Sequence, residues 1–453
     1  MSWTQKTLGE IVNLKRGFDL PSSSRVDGPY PVFSSSGQTG THSEAAVKGP
    51  CVVTGRYGTI GQVFFSDAAC WPLNTSLYST DFKGNDPKFV YYLLKTIPWR
   101  DYLTASAVPG INRNHVHLCP VCVPDHETQT AISGVLGLLD NKIELNTKLN
   151  GYLLELMNVQ YQHSFCCNKL TLGSIYDIAD VVYGAAFKSA LFNEEKVGYP
   201  LIRIRDLSTF SPQYWTNEAH PKRVFVHPGD VLAGMDAEFT PCLWQGEMAV
   251  LNQRVCLFEP AANSGVSRSY LLMALNPLLA FIQNYASGTT VAHMGKGDLE
   301  ALNVPIPARG DLERFNTIAE PLREQIVQNS TQNRKLAALR DALLPKLMSG
   351  EIDVSRVDFT QLNSHLAETL RPFGCHIPAI QKTGQLALLR TAPYPRPSRY
   401  SANQHHSPTS QISRQTNPCV WAFPLGRNPR PPLPPDAVAR RLHGVRSGIG
   451  TAI

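Results

Sequence analysis

Guanidinium groups set beside glycine, hydroxyl and aromatic side chains are the chemistry-bearing pattern of this sequence. Gly55-Arg56-Tyr57-Gly58-Thr59-Ile60-Gly61 presents a guanidinium, a phenol and a hydroxyl from one Gly-rich loop, and Arg113-Asn114-His115 with His117 follows in the same region. Farther on stand Arg203 and Arg205 in LIRIRDL, then Lys222-Arg223, Arg254 and Arg268. The alternation in LIRIRDL predicts a strand with Arg203 and Arg205 on one face. Arg can grip the paired acceptors of guanine as a fork, whereas Lys, Ser and Thr mostly hold phosphates. Taken singly, each such residue is more often a solvated surface cation or a structural ion pair. The candidates for DNA contact are Arg56, Tyr57, Thr59, Arg113, Asn114, His115, Arg203, Arg205, Lys222, Arg223 and Arg254.

Catalytic patterns are missing. There is no Gly-x-x-x-x-Gly-Lys-Ser/Thr phosphate loop, since His293-Met294-Gly295-Lys296-Gly297 has neither the spacing nor the hydroxyl. No Gly-x-Ser-x-Gly elbow or His-Glu-x-x-His pair occurs, and Gly55, Gly58 and Gly61 do not form a dinucleotide fingerprint. Asp125 with Asp140-x-Lys142 mimics a metal nuclease, but Asp140 and Lys142 fall inside a helical pattern where their side chains diverge. Cys119-x-x-Cys122 has zinc-like spacing, with Cys166-Cys167 as a conceivable second half; HLCPVCVP alternates like a strand and reads as structural. We therefore expect no catalytic residue, no metal site and no cofactor in this chain.

The net charge of +6 is unevenly spread. From Gln361 onward there are 11 Lys/Arg against 2 Asp/Glu, leaving 31 against 34 before it, so any polyanion site in the body must be a local patch. No window approaches a membrane span and the first residues lack a signal core, so the chain reads as cytoplasmic, its ten cysteines as reduced thiols. Residues 360–453 hold 13 of the 34 prolines and few periodic apolar residues, and we expect this Pro/Arg-rich tail to be disordered.

Two long heptad segments must position the candidate residues. Residues 127–167 carry a seam through Ile132, Leu136, Leu139, Ile143, Asn146, Asn150, Leu153 and Met157; residues 312–352 repeat it through Ile318, Leu322, Gln325, Asn329, Gln332, Leu336, Leu339 and Leu343. Both seams are polar in the middle, a device that fixes register. At about 1.5 Å per residue the stretch from Glu127 to Phe165 alone makes a rod roughly 55 Å long, more than one domain needs. Ahead of each segment lies a matching β-rich region. KTLGEIVNLKRGFD corresponds to KLTLGSIYDIADVVYGAAF, Tyr30-Pro31-Val32 to Tyr199-Pro200-Leu201, and Asn74-Thr75-Ser76-Leu77 to Asn252-Gln253-Arg254-Val255. The expected fold is α+β: two β-rich recognition domains, residues 1–126 and 168–311, separated by two long helices pairing as an antiparallel coiled coil. The duplication implies a pseudo-twofold axis.

Three stretches resemble the specificity (S) subunit of type I restriction-modification enzymes over residues 3 to about 357. GRYGTIGQVFFSDAACWPLNTSLYSTDF is similar to the body of its target recognition domain, PDHETQTAISGVLGLLDNKIELNTKL to the start of its central helix, and LRDALLPKLMSGEIDV to the end of its distal helix. The resemblance implies a non-catalytic subunit that reads a bipartite, asymmetric DNA target. It also implies two docked modification subunits using S-adenosylmethionine, and restriction subunits supplying an ATP- and Mg-dependent motor and nuclease. The second region departs from the first, with Gly234-Met235-Asp236-Ala237-Glu238 standing where Gly55-Arg56-Tyr57-Gly58-Thr59 does. The competing readings are a catalytic fused restriction-modification protein or metal-dependent nuclease, and a protein-binding scaffold.

Overall fold

The computed structural model describes residues 2–104, 109–165, 171–286 and 293–354. The expectation for residues 360–453 and the pair Cys166-Cys167 lie outside the described residues.

The first region is built on an antiparallel sheet in the order β2 (Asn13–Arg16), β8 (Ser76–Asp81), β5 (Cys51–Gly55), β6 (Val63–Ser66). Every residue of β5 is buried, and its one polar side chain is satisfied there, the Thr54 hydroxyl donating to the Gln62 carbonyl at 2.9 Å. A smaller sheet joins β4 (Gly37–His42), β3 (Tyr30–Ser34) and β7 (Trp71–Pro72). The region closes on itself because β1 (Trp3–Thr7) pairs antiparallel with β9 (Pro120–Pro124). Between β1 and β2 lies the short α1 (Leu8–Ile11). The helix α2 (Pro87–Thr96) starts where Pro87 follows Asp86, whose Oδ1 accepts from Phe89 N–H at 2.7 Å. It turns Phe89, Val90, Leu93 and Leu94 onto the sheet. A short helix, α3 (Arg113–Val116), precedes β9.

The second region repeats this plan. β10 (Thr171–Ser174) pairs antiparallel with β20 (Asn303–Ile306), and the main sheet runs β11 (Ala179–Tyr183), β19 (Val255–Pro260), β16 (Val231–Gly234), β17 (Cys242–Leu243). Its companion sheet has five strands, β12 (Phe192–Asn193), β14 (Trp215–Thr216), β13 (Tyr199–Ile202), β18 (Ala249–Leu251) and β15 (Phe225–Val226). The helices α5 (Arg268–Ala286) and α6 (Lys296–Glu300) follow.

Two 40-residue helices, α4 (His126–Phe165) and α7 (Arg309–Met348), pack antiparallel along each other. The second begins ahead of the expected Leu312 and ends before the expected Ile352. α4 is launched by Asp125, whose Oδ1 accepts from Thr128 N–H at 2.9 Å, a bond that holds its carboxyl below the usual range. It leaves the first region's core through Ile132 and Leu136 and enters the second's through Met157, Tyr161 and Phe165. α7 runs the other way, from Leu312, Phe315 and Ala319 in the second core to Leu347 and Met348 in the first. Each fully buried Leu or Phe contributes about 1.5–3 kcal/mol, so these ends are firmly rooted.

Halfway along, the pairing turns polar. Asn146 Nδ2 donates to Asn333 Oδ1 (2.9 Å), as Asn329 Nδ2 donates to Asn150 Oδ1 (2.8 Å). Asn333 donates to the Ile143 carbonyl (3.3 Å) and the Thr147 hydroxyl (3.2 Å); Asn150 donates to the Ile326 carbonyl (3.2 Å) and the Ser330 hydroxyl (2.9 Å). Exchanging the helices maps one set of bonds onto the other. Leu139, Ile143, Leu153, Leu322, Leu336 and Leu343 are half-buried along the contact. Leu339 and Ile318 are corrections to the expected seam, being 48% and 45% exposed. A straight helix drifts about 20° per heptad from a strict seven-residue repeat, so far from the centre the buried stripe moves on to Ala319, Leu347 and Met348.

Candidate nucleic-acid interface

In the first region the Gly-rich loop leaves β5 at Gly55, where an added Cβ would lie 1.8 Å from the Thr59 carbonyl oxygen. Only glycine lets the loop close so tightly. The Thr75 carbonyl accepts from Arg56 N–H (2.9 Å) and Tyr57 N–H (3.1 Å), while the Arg56 carbonyl accepts from Ile111 N–H (2.9 Å). The Arg56 guanidinium stacks on the Tyr57 ring, 4.5 Å from its centroid. Asn112 caps α3 by accepting from Asn114 N–H at 3.0 Å, and Arg113 Nη1 donates to the Leu14 carbonyl at 3.5 Å.

These pieces wall a cleft of about 690 Å³ whose rim carries Lys15, Arg16, Arg56 and Arg113 against the single carboxylate Asp19. Arg16 lies 3.5 Å from Asp19, leaving a net positive groove with Tyr57 on one side and Phe18 on another. Cationic forks beside flat aromatic faces suit a phosphate backbone and base edges together. Of the expected residues, Arg56, Tyr57, Arg113 and Asn114 are brought together here; Thr59 and His115 do not line the cleft. Lys15 and Arg16 escaped sequence reasoning because they sit inside a strand, although their adjacency at its end was a usable signal. His117 has a structural task, its Nε2 accepting from Leu14 N–H at 3.0 Å. Burial, then Arg113 and Lys83, lower its pKa and favour the neutral ring this bond requires.

The second region distributes its cations differently. Arg203 and Arg205 do not share a strand face: β13 ends at Ile202, and a 3-10 turn, Ile204–Asp206, follows. The cause is Asp206, buried there, which accepts from Arg203 N–H at 2.9 Å and folds the chain back. Arg203 lies flat on Tyr214 (4.2 Å) and donates to Gln213 Oε1 (3.2 Å), so it is a packing residue, whereas Arg205 is exposed. Arg223 rests on Phe225 (4.7 Å) and Tyr199 (5.3 Å), with Lys222 exposed beside it. Arg268 Nε is paired with Asp230 at 3.0 Å. Arg254 alone joins a mixed polar cluster, its Nη1 3.4 Å from Asp236 Oδ1 and 3.2 Å from His293 Nδ1.

The groups that mimicked a nuclease serve structure. Asp140 accepts from the Tyr92 hydroxyl and from Arg340 Nη1, each at 2.7 Å, tying α2 to both long helices. Burial, then that bond to Asp140, pushes the Tyr92 hydroxyl pKa upward. Asp125 caps α4. Cys119 is buried with its Sγ 3.7 Å from the Pro120 carbonyl, while Cys122 is exposed on β9. Among the described residues no group of three His, Cys, Asp or Glu side chains is placed to hold a metal. No helix among them is long and apolar enough to cross a membrane.

Comparison with known proteins points one way. The type I restriction modification DNA specificity domain matches this chain twice, over residues 1–154 and 169–328. The specificity subunit of the type I restriction enzyme EcoBI from Escherichia coli is 33% identical over 193 residues, 41% of this chain and 40% of that subunit. The MjaIX specificity subunit from Methanocaldococcus jannaschii is 24% identical over 311 residues, 60% of this chain and 70% of its own length. The crystal structure of the type I restriction-modification S subunit from M. genitalium shares the fold, with a TM-score of 0.50 and 17% identity over 76% of this chain and 96% of that one. With the two regions built on matching strand orders and the domain matched in each, the chain belongs to the type I restriction modification DNA specificity domain family.

Proposed function

We propose that this protein is the DNA-reading specificity subunit of a type I restriction-modification system, recognising a bipartite, asymmetric target. The observation that carries this reading is the rooting of α4 and α7 in the cores of both regions, in opposite order. An antiparallel coiled coil then acts as a ruler of about 60 Å, nearly two turns of B-DNA at about 34 Å each, with an inverted reader at either end. Internal duplication explains the pseudo-twofold arrangement of the Asn centre, and divergence of the two readers makes the half-sites unlike.

The subunit itself is non-catalytic. It presents the outer faces of the ruler to two modification subunits, and restriction subunits complete the complex. S-adenosylmethionine, ATP and Mg²⁺ belong to those partners; here they hold and use the cofactors while this chain supplies place and sequence. The test exchanges residues 168–311 for the equivalent region of another such subunit and maps methylated sites in the host. One half-site should change and the other persist; change in both, or in neither, defeats the modular reading. Purified chain given Mg²⁺, ATP and S-adenosylmethionine should neither cut nor methylate DNA, and cleavage or methylation by it alone would restore the catalytic alternative.

A further inference from the structure

The second region's loop is anchored by the same two backbone hydrogen bonds as the first's and carries different chemistry at four equivalent positions. As Arg56 N–H donates to the Thr75 carbonyl, Met235 N–H donates to the Arg254 carbonyl, both at 2.9 Å. As the Arg56 carbonyl accepts from Ile111 N–H at 2.9 Å, the Met235 carbonyl accepts from Met294 N–H at 2.8 Å. Isolated bridges join Tyr57 to Gly110 and Asp236 to His293. This register sets Asp236 where Tyr57 stands, His293 where Gly110 stands and Arg254 where Thr75 stands, one residue on from the sequence match, which sets Gln253 against Thr75. Met235, nearly buried, occupies the place of Arg56, so the loop's guanidinium has moved one strand across.

The three polar side chains are mutually engaged. Asp236 Oδ1 lies 2.6 Å from His293 Nδ1 and 3.4 Å from Arg254 Nη1, and the three side chains are 26%, 47% and 55% exposed. The loop under them is braced by Gln283 of α5, whose Oε1 accepts from Phe239 N–H at 2.8 Å and whose amide donates to the Ala237 carbonyl. Ala237 and Arg254 both have left-handed backbone, with φ of 63° and 72°. Side chains rarely adopt that conformation unless their surroundings hold them there. An exposed ion pair returns little stability, so fold stability does not account for charged, strained residues at this spot.

We propose that Asp236, Arg254 and His293 form the base-reading cluster of the second region. Arg254 donates to the paired acceptors of a guanine major-groove edge, and Asp236 is a positioning residue that holds the guanidinium by Nη1 so that its other edge faces the DNA. This rests on the DNA-reading function proposed above. The test is selection of bound duplexes from a randomised DNA pool by the full chain, by Arg254→Lys, by Asp236→Asn and by Arg56→Ala, with folding checked by thermal denaturation. The parent should enrich a two-part motif. Arg254→Lys keeps the charge but loses the fork, and should lower preference at one position of one half-site by about 10- to 100-fold while total DNA retention changes little. Asp236→Asn should weaken the same position less, and Arg56→Ala should act only on the other half-site. Arg254→Lys enriching the parental motif unchanged, or shifting the half-site that Arg56→Ala shifts, overturns the inference. A parent chain that enriches no motif overturns the DNA-reading function itself and this assignment with it.

Discussion

The first region meets solvent with an open basic cleft, the second with a cluster whose charges already hold one another. Both are hung on an antiparallel sheet of four strands, in the orders β2-β8-β5-β6 and β11-β19-β16-β17. In pairing register, Arg16 opposite Leu77 answers to Tyr183 opposite Cys256, so a cation on the first sheet's edge is a phenol on the second's. Two backbone hydrogen bonds that anchor the loops agree to within about a tenth of an ångström, while Arg56 and Met235, Tyr57 and Asp236, and Thr75 and Arg254 share no chemistry at equivalent places. In a recognition fold the main chain decides where contact is made. Side chains decide what is contacted, and can be exchanged without disturbing the frame.

Substitutions can break this comparison in order of expected effect. Gly55→Ala would drive a Cβ onto the Thr59 carbonyl oxygen, whereas at Gly234 the nearest backbone oxygen, that of Glu238, is 2.8 Å away. We expect Gly55→Ala to cost about 3 kcal/mol and Gly234→Ala about 1 kcal/mol, read from denaturant midpoints; equal costs would mean the loops are not under the same constraint. Arg56→Ala should weaken binding of one half-site by about 2 kcal/mol with the other untouched, whereas Arg203→Ala, which loses stacking on Tyr214, should lower thermal stability without altering base preference.

Smaller effects sharpen it. Lys15→Ala should weaken duplex binding evenly across sequences and reduce the slope of log affinity against log salt by about 1, as for a phosphate contact. No counterpart is expected at Val182, which takes the equivalent place on β11. The slightest effect concerns His117. Its folded pKa is lowered, so the folded state binds fewer protons than the unfolded one below about pH 6.5 and loses stability as the pH falls toward the folded value. Hydrogen exchange compared at pH 7.5 and 5.5 should show faster opening around Leu14, and His117→Gln should flatten that difference.

How far the sequence disclosed this arrangement depended on the range of the interactions involved. The long helices were legible because heptad spacing is local, and Asn146, Asn150 and Asn329 stood out as polar residues in an apolar seam; all three are buried in the helix contact. Leu339 misled because a seam extrapolated from the centre ignores the drift of a straight helix. LIRIRDL looked like a strand, since alternation is all a window of that length can show. The bond from Asp206 back to Arg203 N–H ends the strand, and a side chain competing for backbone donors is not visible in a hydrophobic pattern. Arg56 and Arg113, both legible in the sequence, line one cleft, but Lys15 and Arg16 join them only through the β2–β8 pairing across the sheet. The cluster around Asp236 was invisible for the same reason, its members being brought together from three separate stretches.

The crossed rooting of the two long helices also bears on how the protein comes apart. The last turn of α7 supplies Leu347 and Met348 to the first region's core, and a Cβ on Gly350 would meet the Trp3 indole, so the two ends of the described fold are packed into one wall. Neither region therefore owns all of the side chains that fill it. Unfolding should be cooperative across both, and a chain cut before residue 309 should lose protection from proteolysis in its first region, far from the cut in sequence.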